Sequence, residues 1–486
     1  MNAKPIVRPA LLLAALWLAE RGAAQQPQLQ FWQRVFLSTQ ATAALPWNVY
    51  GPVGQVFVLL ADVAPGQTVV LGQPFDLAFT PALLPLLAGV VGPSGSTGGS
   101  LPFAPSSLPV GQAIFCQFGA FDAGLGLASL TASNVDSFAT HPSPYAIVAP
   151  FTSPGSFPAM TGVFDHAVHN RLQALPPRTR TVRPLPPEAI ALPIVAPFEP
   201  LHPSGSRFQL ALRAADLDAN GLPERLTAVR WRPLFGAVVA ESYPQFELVA
   251  AHSDVVPDYT IDPFTALPVA PGSGLAVQFA ANPIAASAVS VINGAYQVLP
   301  SNLTANGYLP FPAPQQPFDY DGVHTLLLET RCSPTPGLGA PQNHGVIYQM
   351  GFSSPQPFAT VYASAGWNGQ PSPLPPLSAT SGAGGSYTYD WELEFVRTAS
   401  LATSAWLLSG LVDYQPPILS AFVPPGTSIE VEFRGALDPI GTGATAWSTN
   451  QDVADGYPNL QFRVRMTANA ATNAVPWLDL LIVPVS

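Results

Sequence analysis

The chain is poor in charge and in cysteine. Only 10% of its 486 residues are charged, 18 Lys and Arg stand against 29 Asp and Glu, and the formal net charge is −11. An acidic surface repels polyphosphates and anionic lipids at long range, so nucleic acid and anionic membrane surfaces are excluded as partners. The two cysteines, Cys116 and Cys332, are too few and too far apart for a disulfide framework. Each lies in an apolar, strand-like context, with Ile114, Phe115 and Phe118 around one and Leu326 to Leu328 just before the other, which favours buried free thiols. Long apolar runs are also missing beyond the N-terminus. Pro81 and Pro85 break the most apolar stretch, Leu77 to Val91, so no membrane span is expected in the mature chain. No G-x-S-x-G elbow, H-E-x-x-H helix or lysine-bearing phosphate loop occurs.

Proline and glycine are abundant, 57 and 39 residues, and 48% of the chain is hydrophobic. Such punctuation leaves little room for long helices, while the apolar content is too high for disorder, so the chain reads as all-β. Lys4 and Arg8 precede an apolar run from Ala10 to Ala19, and small residues at Gly22, Ala23 and Ala24 offer a cleavage site. This is the layout of a signal peptide over residues 1–24, and it implies a secreted protein, extracellular or periplasmic.

Two to three antiparallel β-sandwich modules, Ig-like or jelly-roll-like, are expected, joined by Pro-rich linkers. The first covers 46–134, where Val56 to Leu60, Thr68 to Leu71, Phe75 to Phe79 and Ile114 to Phe118 are separated by turn residues. Residues 137–200 are dense in proline, carry Arg171, Arg178, Arg180 and Arg183, and read as an extended linker open to trypsin. The second module spans 201–365, a Gly/Pro/Ser linker 366–385, and the third module 386–486. Alternation is cleanest in the third. Ile429, Val431 and Phe433 alternate with Glu430, Glu432 and Arg434, and Leu460, Phe462, Val464 and Met466 with Gln461, Arg463 and Arg465. Period-two patterning with charged outer positions predicts a sheet with one wet face and the apolar set buried.

Several of these segments resemble a family. Arg207 to Leu212, Leu226 through Trp231 to Pro233, and Pro317 to Gly322 leading into Leu326 to Glu329 look like a β-rich domain that recurs in uncharacterised secreted multi-module β-sandwich proteins of environmental bacteria. Val56 to Pro65 with Leu108 to Asn134, and Pro424 to Thr427 with Phe433 to Ala436, are similar to companion modules of such proteins. The resemblance implies extracellular β-modules and brings no catalytic residues with it.

Candidate chemistry is sparse. Asp216, Asp218, Asn220 and Gly221 place oxygen side chains at alternate positions before a glycine turn, as a calcium loop begins, and Glu224 is the one carboxylate near enough to complete it. The same residues are what an ordinary hairpin turn requires, and Thr227 at the twelfth position supplies no bidentate ligand. Calcium is the only cofactor these residues suggest. Asp165, His166 and His169 form a weak metal-ligand pattern. Asp319, Asp321 and Glu329 around His324 offer carboxylates of the kind glycosidases use, but an acidic turn entering a buried strand is the favoured reading, since a small sandwich rarely forms the cleft such enzymes need. Among the tryptophans, Trp231, Trp391 and Trp477 read as core, while Trp367, Trp406 and Trp447 lie among small or polar residues where exposed sugar-stacking aromatics are found, although packing that fills a core or anchors a loop is the favoured reading for them too. No catalytic residue emerges. The expected function is a non-enzymatic structural or adhesion component of the cell surface or matrix, with surface components or glycans as partners. A carbohydrate-binding accessory protein is the alternative, and a hydrolase with a site between modules a further one.

Overall fold

The computed structural model describes residues 27–142, 145–150, 159–161, 163–166, 171–184, 190–192, 205–234, 238–255, 275–276, 278–333, 347–349, 358–364, 383–385, 387–410 and 412–486. Residues 1–24, expected to be a signal peptide, His169, Trp367 and most of 366–385, expected to be a linker, lie outside them. The fold is all-β, and the helical turns among the described residues are 3-10 segments of three or four residues. No described helix is long and apolar enough to cross a membrane. The chain forms two compact units, one of residues 1–176 with 400–486 and the other of 177–399.

The first unit stacks four sheets. Sheet I holds Gln28–Phe31, Ala43–Tyr50 and Ser96–Phe103. Sheet II runs Val35–Leu37, Asp136–His141, Ala113–Phe121, Val56–Asp62, Leu84–Val90. Sheet III is built on Trp477–Val485, flanked by Tyr145–Pro150, Arg171–Ala174 and Ile418–Phe422, with Val163–His166 at its edge. Sheet IV is built on Asn459–Thr467, paired with Ser428–Ala436 on one side and with Ala399–Thr403 and Leu407–Leu408 on the other.

Three apolar layers hold these sheets together. Leu29, Leu45 and Val49 meet Phe57, Leu59 and Phe118 between sheets I and II. Ala113 and Phe115 meet Trp477, Leu480 and Ile482 between II and III. Leu172, Leu478 and Leu481 meet Phe433, Phe462 and Val464 between III and IV. Sheets II and III are therefore covered on both faces, which explains why Ala113–Phe121 and Trp477–Val485 are almost uninterruptedly buried and lack alternation.

One charged cluster lies where sheets II and III face each other. Arg34 donates from Nε to the Ser137 carbonyl at 2.8 Å and stands 3.0 Å from Asp136 Oδ1, and its Nη2 pairs with Asp479. Ser137 donates its hydroxyl to the same Asp479 oxygen, and Ser420 donates to Ser137 at 2.7 Å. Pairing with Ile418–Phe422 jumps from Leu480 to Leu478, so Asp479 is the extra residue of a β-bulge. Bulges re-aim side chains, and this one supplies a carboxylate in the middle of a sandwich. Burial raises both carboxyls despite the pull of Arg34, Asp479 to about 7. Cys116 lies in the same field, its thiol pushed up by burial and by both aspartates.

The second unit is a sandwich whose two sheets enclose an apolar core. One sheet runs Arg178–Val182, Trp391–Arg397, Glu224–Trp231, Leu309–Pro310, with Phe318–Tyr320 also on Glu224–Trp231. The other runs Val289–Val298, Glu241–Ser253, Thr325–Cys332, Ser206–Leu212, Phe358–Ser364, Ala383–Gly385. Trp231, Leu393 and Phe395 from the first meet Phe208, Leu248 and Leu328 from the second. Both cysteines are buried, and the Ser206 hydroxyl lies 3.0 Å from the Cys332 sulfur.

Two of the expected boundaries change. The stretch 137–200 is not an extended linker, because Asp136–His141, Tyr145–Pro150, Arg171–Ala174 and Arg178–Val182 are all paired strands. Arg171 is buried and bonded to Asp76 at 3.0 Å, so the expectation of early cleavage there is corrected. Residues 386–486 do not form one module either, since Trp391–Arg397 completes the second unit while the strands from 400 onward belong with the N-terminal sheets.

Candidate functional site

Every positive side chain from residue 27 on is an arginine or a histidine, since the sequence's one lysine is Lys4. Arginine's planar fork suits carboxylates, and of the acids singled out from the sequence Asp216, Glu224, Asp319 and Glu329 are paired with arginines. Arg213 takes both oxygens of Asp216 at 2.7 and 2.9 Å. Glu224 is buried between Arg180 at 2.6 Å and Arg397 at 2.7 Å. Asp218 occupies a left-handed backbone position and accepts from Arg397 through its carbonyl, while Asn220 caps the amide of Leu222. The structure thus gives Asp216 and Glu224 to arginines and makes the segment a tight turn. Among the described residues no group of three His, Cys, Asp or Glu has the arrangement to hold a metal.

The second acidic group is dispersed. Asp319 is exposed and forked by Arg225 at 2.8 and 3.0 Å. Glu329 is buried on the opposite sheet, where Arg207 at 2.8 Å, Arg331 and Gln209 share its oxygens. The cavity beside it measures about 130 Å³, well below the few hundred Å³ of ligand pockets. Asp321 bonds His324 Nδ1 at 2.5 Å and accepts from the amides of Val323 and His324. Burial would raise its carboxyl, but these bonds outweigh it and hold it low, and the same bond raises His324. This is an acidic turn with its own base. An apolar cavity of about 350 Å³ between sheets I and II has Asp62 as its one charged group. Thr80 and the Val63 amide take that carboxylate's oxygens.

A different arrangement covers the outer face of sheet IV. Ser428–Ala436 and Asn459–Thr467 pair so that Glu430 faces Arg465, Glu432 faces Arg463 and Arg434 faces Gln461. The two ion pairs follow, with Arg463 forking Glu432 at 2.7 and 2.9 Å. These bonds hold the Glu432 carboxyl below its usual range. At the third rung the complement is absent. Among the described residues, all arginines from Arg34 onward approach a carboxylate except Arg178 and Arg434. Arg434 Nε and Nη2 both donate to Gln461 Oε1, at 2.8 and 2.6 Å. Gln461 is itself buried and donates to the Ser404 carbonyl at 2.7 Å, which fixes its oxygen toward Arg434.

Two indoles flank that guanidinium. Arg434 lies over Trp447 at 4.3 Å and over Trp406 at 5.1 Å, and Arg463 over Trp447 at 4.6 Å. Trp406 comes from the link between Ala399–Thr403 and Leu407–Leu408 at one edge, and Trp447 from the segment bridged to Phe433 beyond the other. Trp406, Gln461, Arg434 and Trp447 therefore form a row across the sheet, with both indoles half-buried. Gly441, at φ +89, passes so close to Trp406 that a Cβ would stand 3.1 Å from the ring, which reserves the position for glycine. Its loop leaves Leu437 and Ile440 exposed. Burial and the neighbouring Arg463 lower the Arg434 pKa.

Trp231, Trp391 and Trp477 are buried, in keeping with their strand registers. Of the apolar set opposite the wet face, Val431, Phe433, Phe462 and Val464 are buried as expected, while Ile429 at the strand entry is half-buried, a correction at the frayed end. Sequence reasoning singled out Trp406 and Trp447 but missed Arg434 and Gln461. The signal was present in the charge pattern, because once the register pairs Glu430 and Glu432 with arginines, Arg434 has no acid opposite.

No family model matches the chain, and no curated protein does. Among solved structures it is similar to Escherichia coli alpha-2-macroglobulin activated by porcine elastase, at 10% identity and a TM-score of 0.15, over 85% of this chain and 26% of that one. Escherichia coli alpha-2-macroglobulin in its native conformation matches at 12% identity and a TM-score of 0.16, over 93% of this chain and 21% of that one. The chain spans about a quarter or less of those proteins' length, and likeness at this level carries nothing to the site.

Proposed function

We propose that the chain is an exported, non-enzymatic structural or adhesion component of the cell surface or matrix. The observation that carries this reading is the fate of its acids: Glu224, Glu329, Asp319 and Asp216 are all committed to arginines. A catalytic carboxylate needs a site where its proton affinity is tuned against a substrate, and a bidentate arginine fork removes that freedom. The leader-like residues 1–24 and the resemblance to secreted β-sandwich proteins of environmental bacteria support the same reading.

A second reading, a carbohydrate-binding accessory role, is favoured by one observation, the row of Trp406, Arg434 and Trp447 on an exposed sheet face. Half-buried indoles held by guanidiniums are rigid, and rigid aromatic faces stack on sugar rings. Fractionation of cells making the full chain tests the first reading. The protein is expected outside the cytoplasm with its N-terminus at Gln25, and cytoplasmic retention with residues 1–24 intact would overturn it.

A further inference from the structure

We propose that the Trp406–Arg434–Trp447 row is a binding site for acidic polysaccharide, with the carboxylate of a uronic acid residue held by Arg434 while the sugar ring lies against an indole. The inference rests on the carbohydrate-binding reading and adds to it the charge of the ligand.

Three features point to an anion. Arg434 is partly withdrawn from water, yet among the described residues no side chain offers it a carboxylate, whereas its neighbours Arg463 and Arg465 have Glu432 and Glu430. Its Nε and Nη2 are occupied by one neutral oxygen of Gln461, and among the described residues no acceptor takes Nη1. A guanidinium with an unused donor in a partly desolvated setting gains more from an anion than an exposed one does. Across these two strands the wet face carries Arg434, Arg463 and Arg465 against Glu430 and Glu432, an excess of positive charge on a protein of net charge −11. Asp438, in the loop beside Trp406, directs its carboxylate to the amides of its own loop at Ile440 and Thr442.

The same features narrow the anion to a sugar acid. The site is a row on a sheet and not a cleft, so it suits an extended polymer lying across it. A uronic acid offers a carboxylate on a ring whose C–H faces stack on indole, and one donor atom suffices to pair with it. Duplex nucleic acid also brings anions, but it spaces its charges more closely than a uronic acid polymer does and buries its base faces in the stack, so the acidic surface elsewhere opposes it more strongly.

The test measures binding of the mature chain to polygalacturonate and alginate, and to neutral dextran and mixed-linkage glucan, by calorimetry at two salt concentrations. Acidic polymers are expected to bind at least tenfold more tightly than neutral ones, and less tightly at higher salt. Arg434→Gln should weaken acidic binding at least tenfold, and so should Trp447→Ala, with Trp447→Phe recovering part of it. Arg178→Gln removes the other arginine that has no carboxylate partner among the described residues, which lies in the second unit, and should leave binding unchanged. Unaltered near-UV circular dichroism of each variant separates lost binding from lost folding. Equal affinity for neutral and acidic polymers with loss in Trp447→Ala would overturn the charge inference and keep the carbohydrate reading. No binding to any polymer would overturn both. Equal losses in Arg178→Gln and Arg434→Gln would overturn the site in favour of diffuse attraction.

Discussion

Replacing Asp479 by Asn should remove a pH dependence of stability that the wild-type chain carries between about pH 4 and pH 7. Asp479 and Asp136 share a single guanidinium, Arg34, in the dry layer between sheets II and III, and Asp479 Oδ1 has no donor. Burial therefore raises the Asp479 carboxyl from 3.8 to about 7, with Arg34 and Ser137 only partly opposing it and Asp136 adding to it. The folded state holds a proton that the unfolded chain releases above about 4. Stability from this group is full below that pH, falls as pH rises through the window, and levels off above about 7. At ~1.4 kcal/mol per pH unit the loss reaches up to ~4 kcal/mol, shared with Asp136 as a pair.

Asparagine keeps the acceptor for Arg34 and Ser137 and carries no charge, so it imitates the protonated acid at every pH. Urea unfolding of wild-type and Asp479→Asn chains at pH 5, 6, 7 and 8, with midpoints compared at each pH, measures the difference without contribution from the second unit. The variant should match the wild type only below about pH 4, exceed it by ~1–2 kcal/mol at pH 5 and exceed it by ~4 kcal/mol at pH 8. A variant less stable than the wild type at pH 8, with the same pH slope, would show that the carboxylate is ionised and stabilising in the fold, and would refute the reasoning.

Phe433→Ala should cost ~3–5 kcal/mol, because Phe433 is fully buried between sheets III and IV; Glu432→Ala, which loses a half-buried fork with Arg463, should cost ~1 kcal/mol, both read from urea midpoints. Glu224→Gln should cost ~3–5 kcal/mol by leaving Arg180 and Arg397 around a neutral acceptor, while chelation of calcium should leave the wild-type melting temperature unchanged. Limited trypsin digestion should spare Arg171, which is buried, and cut first after Arg178, which is exposed, as mass spectrometry of the first fragments would show.

The two charged strands of sheet IV were legible because each has one wet face, so the period-two pattern fixes which residues go inward and a one-residue slip would bury charge. Trp477–Val485 carries no such pattern, since both its faces are covered and both must be apolar. Its bulge at Asp479 is invisible for the same reason. The apparent linker failed differently. Tyr145–Pro150 and Arg171–Ala174 find their partner in Trp477–Val485 at the far end of the sequence, and local composition carries no trace of so distant a strand. At the candidate site the two indoles could be singled out one by one, but the significance of Arg434 depends on register, which only the paired strands supply.

Incubation of the mature chain with insoluble acidic and neutral polysaccharides, scoring both the protein retained and the reducing ends released, tests most directly whether this is a binding protein and not a hydrolase. Retention on the polymer, lost in Trp447→Ala, with no reducing ends above the protein-free control is the predicted result. Reducing ends released in proportion to protein concentration, and abolished by replacing a single carboxylate, would contradict it.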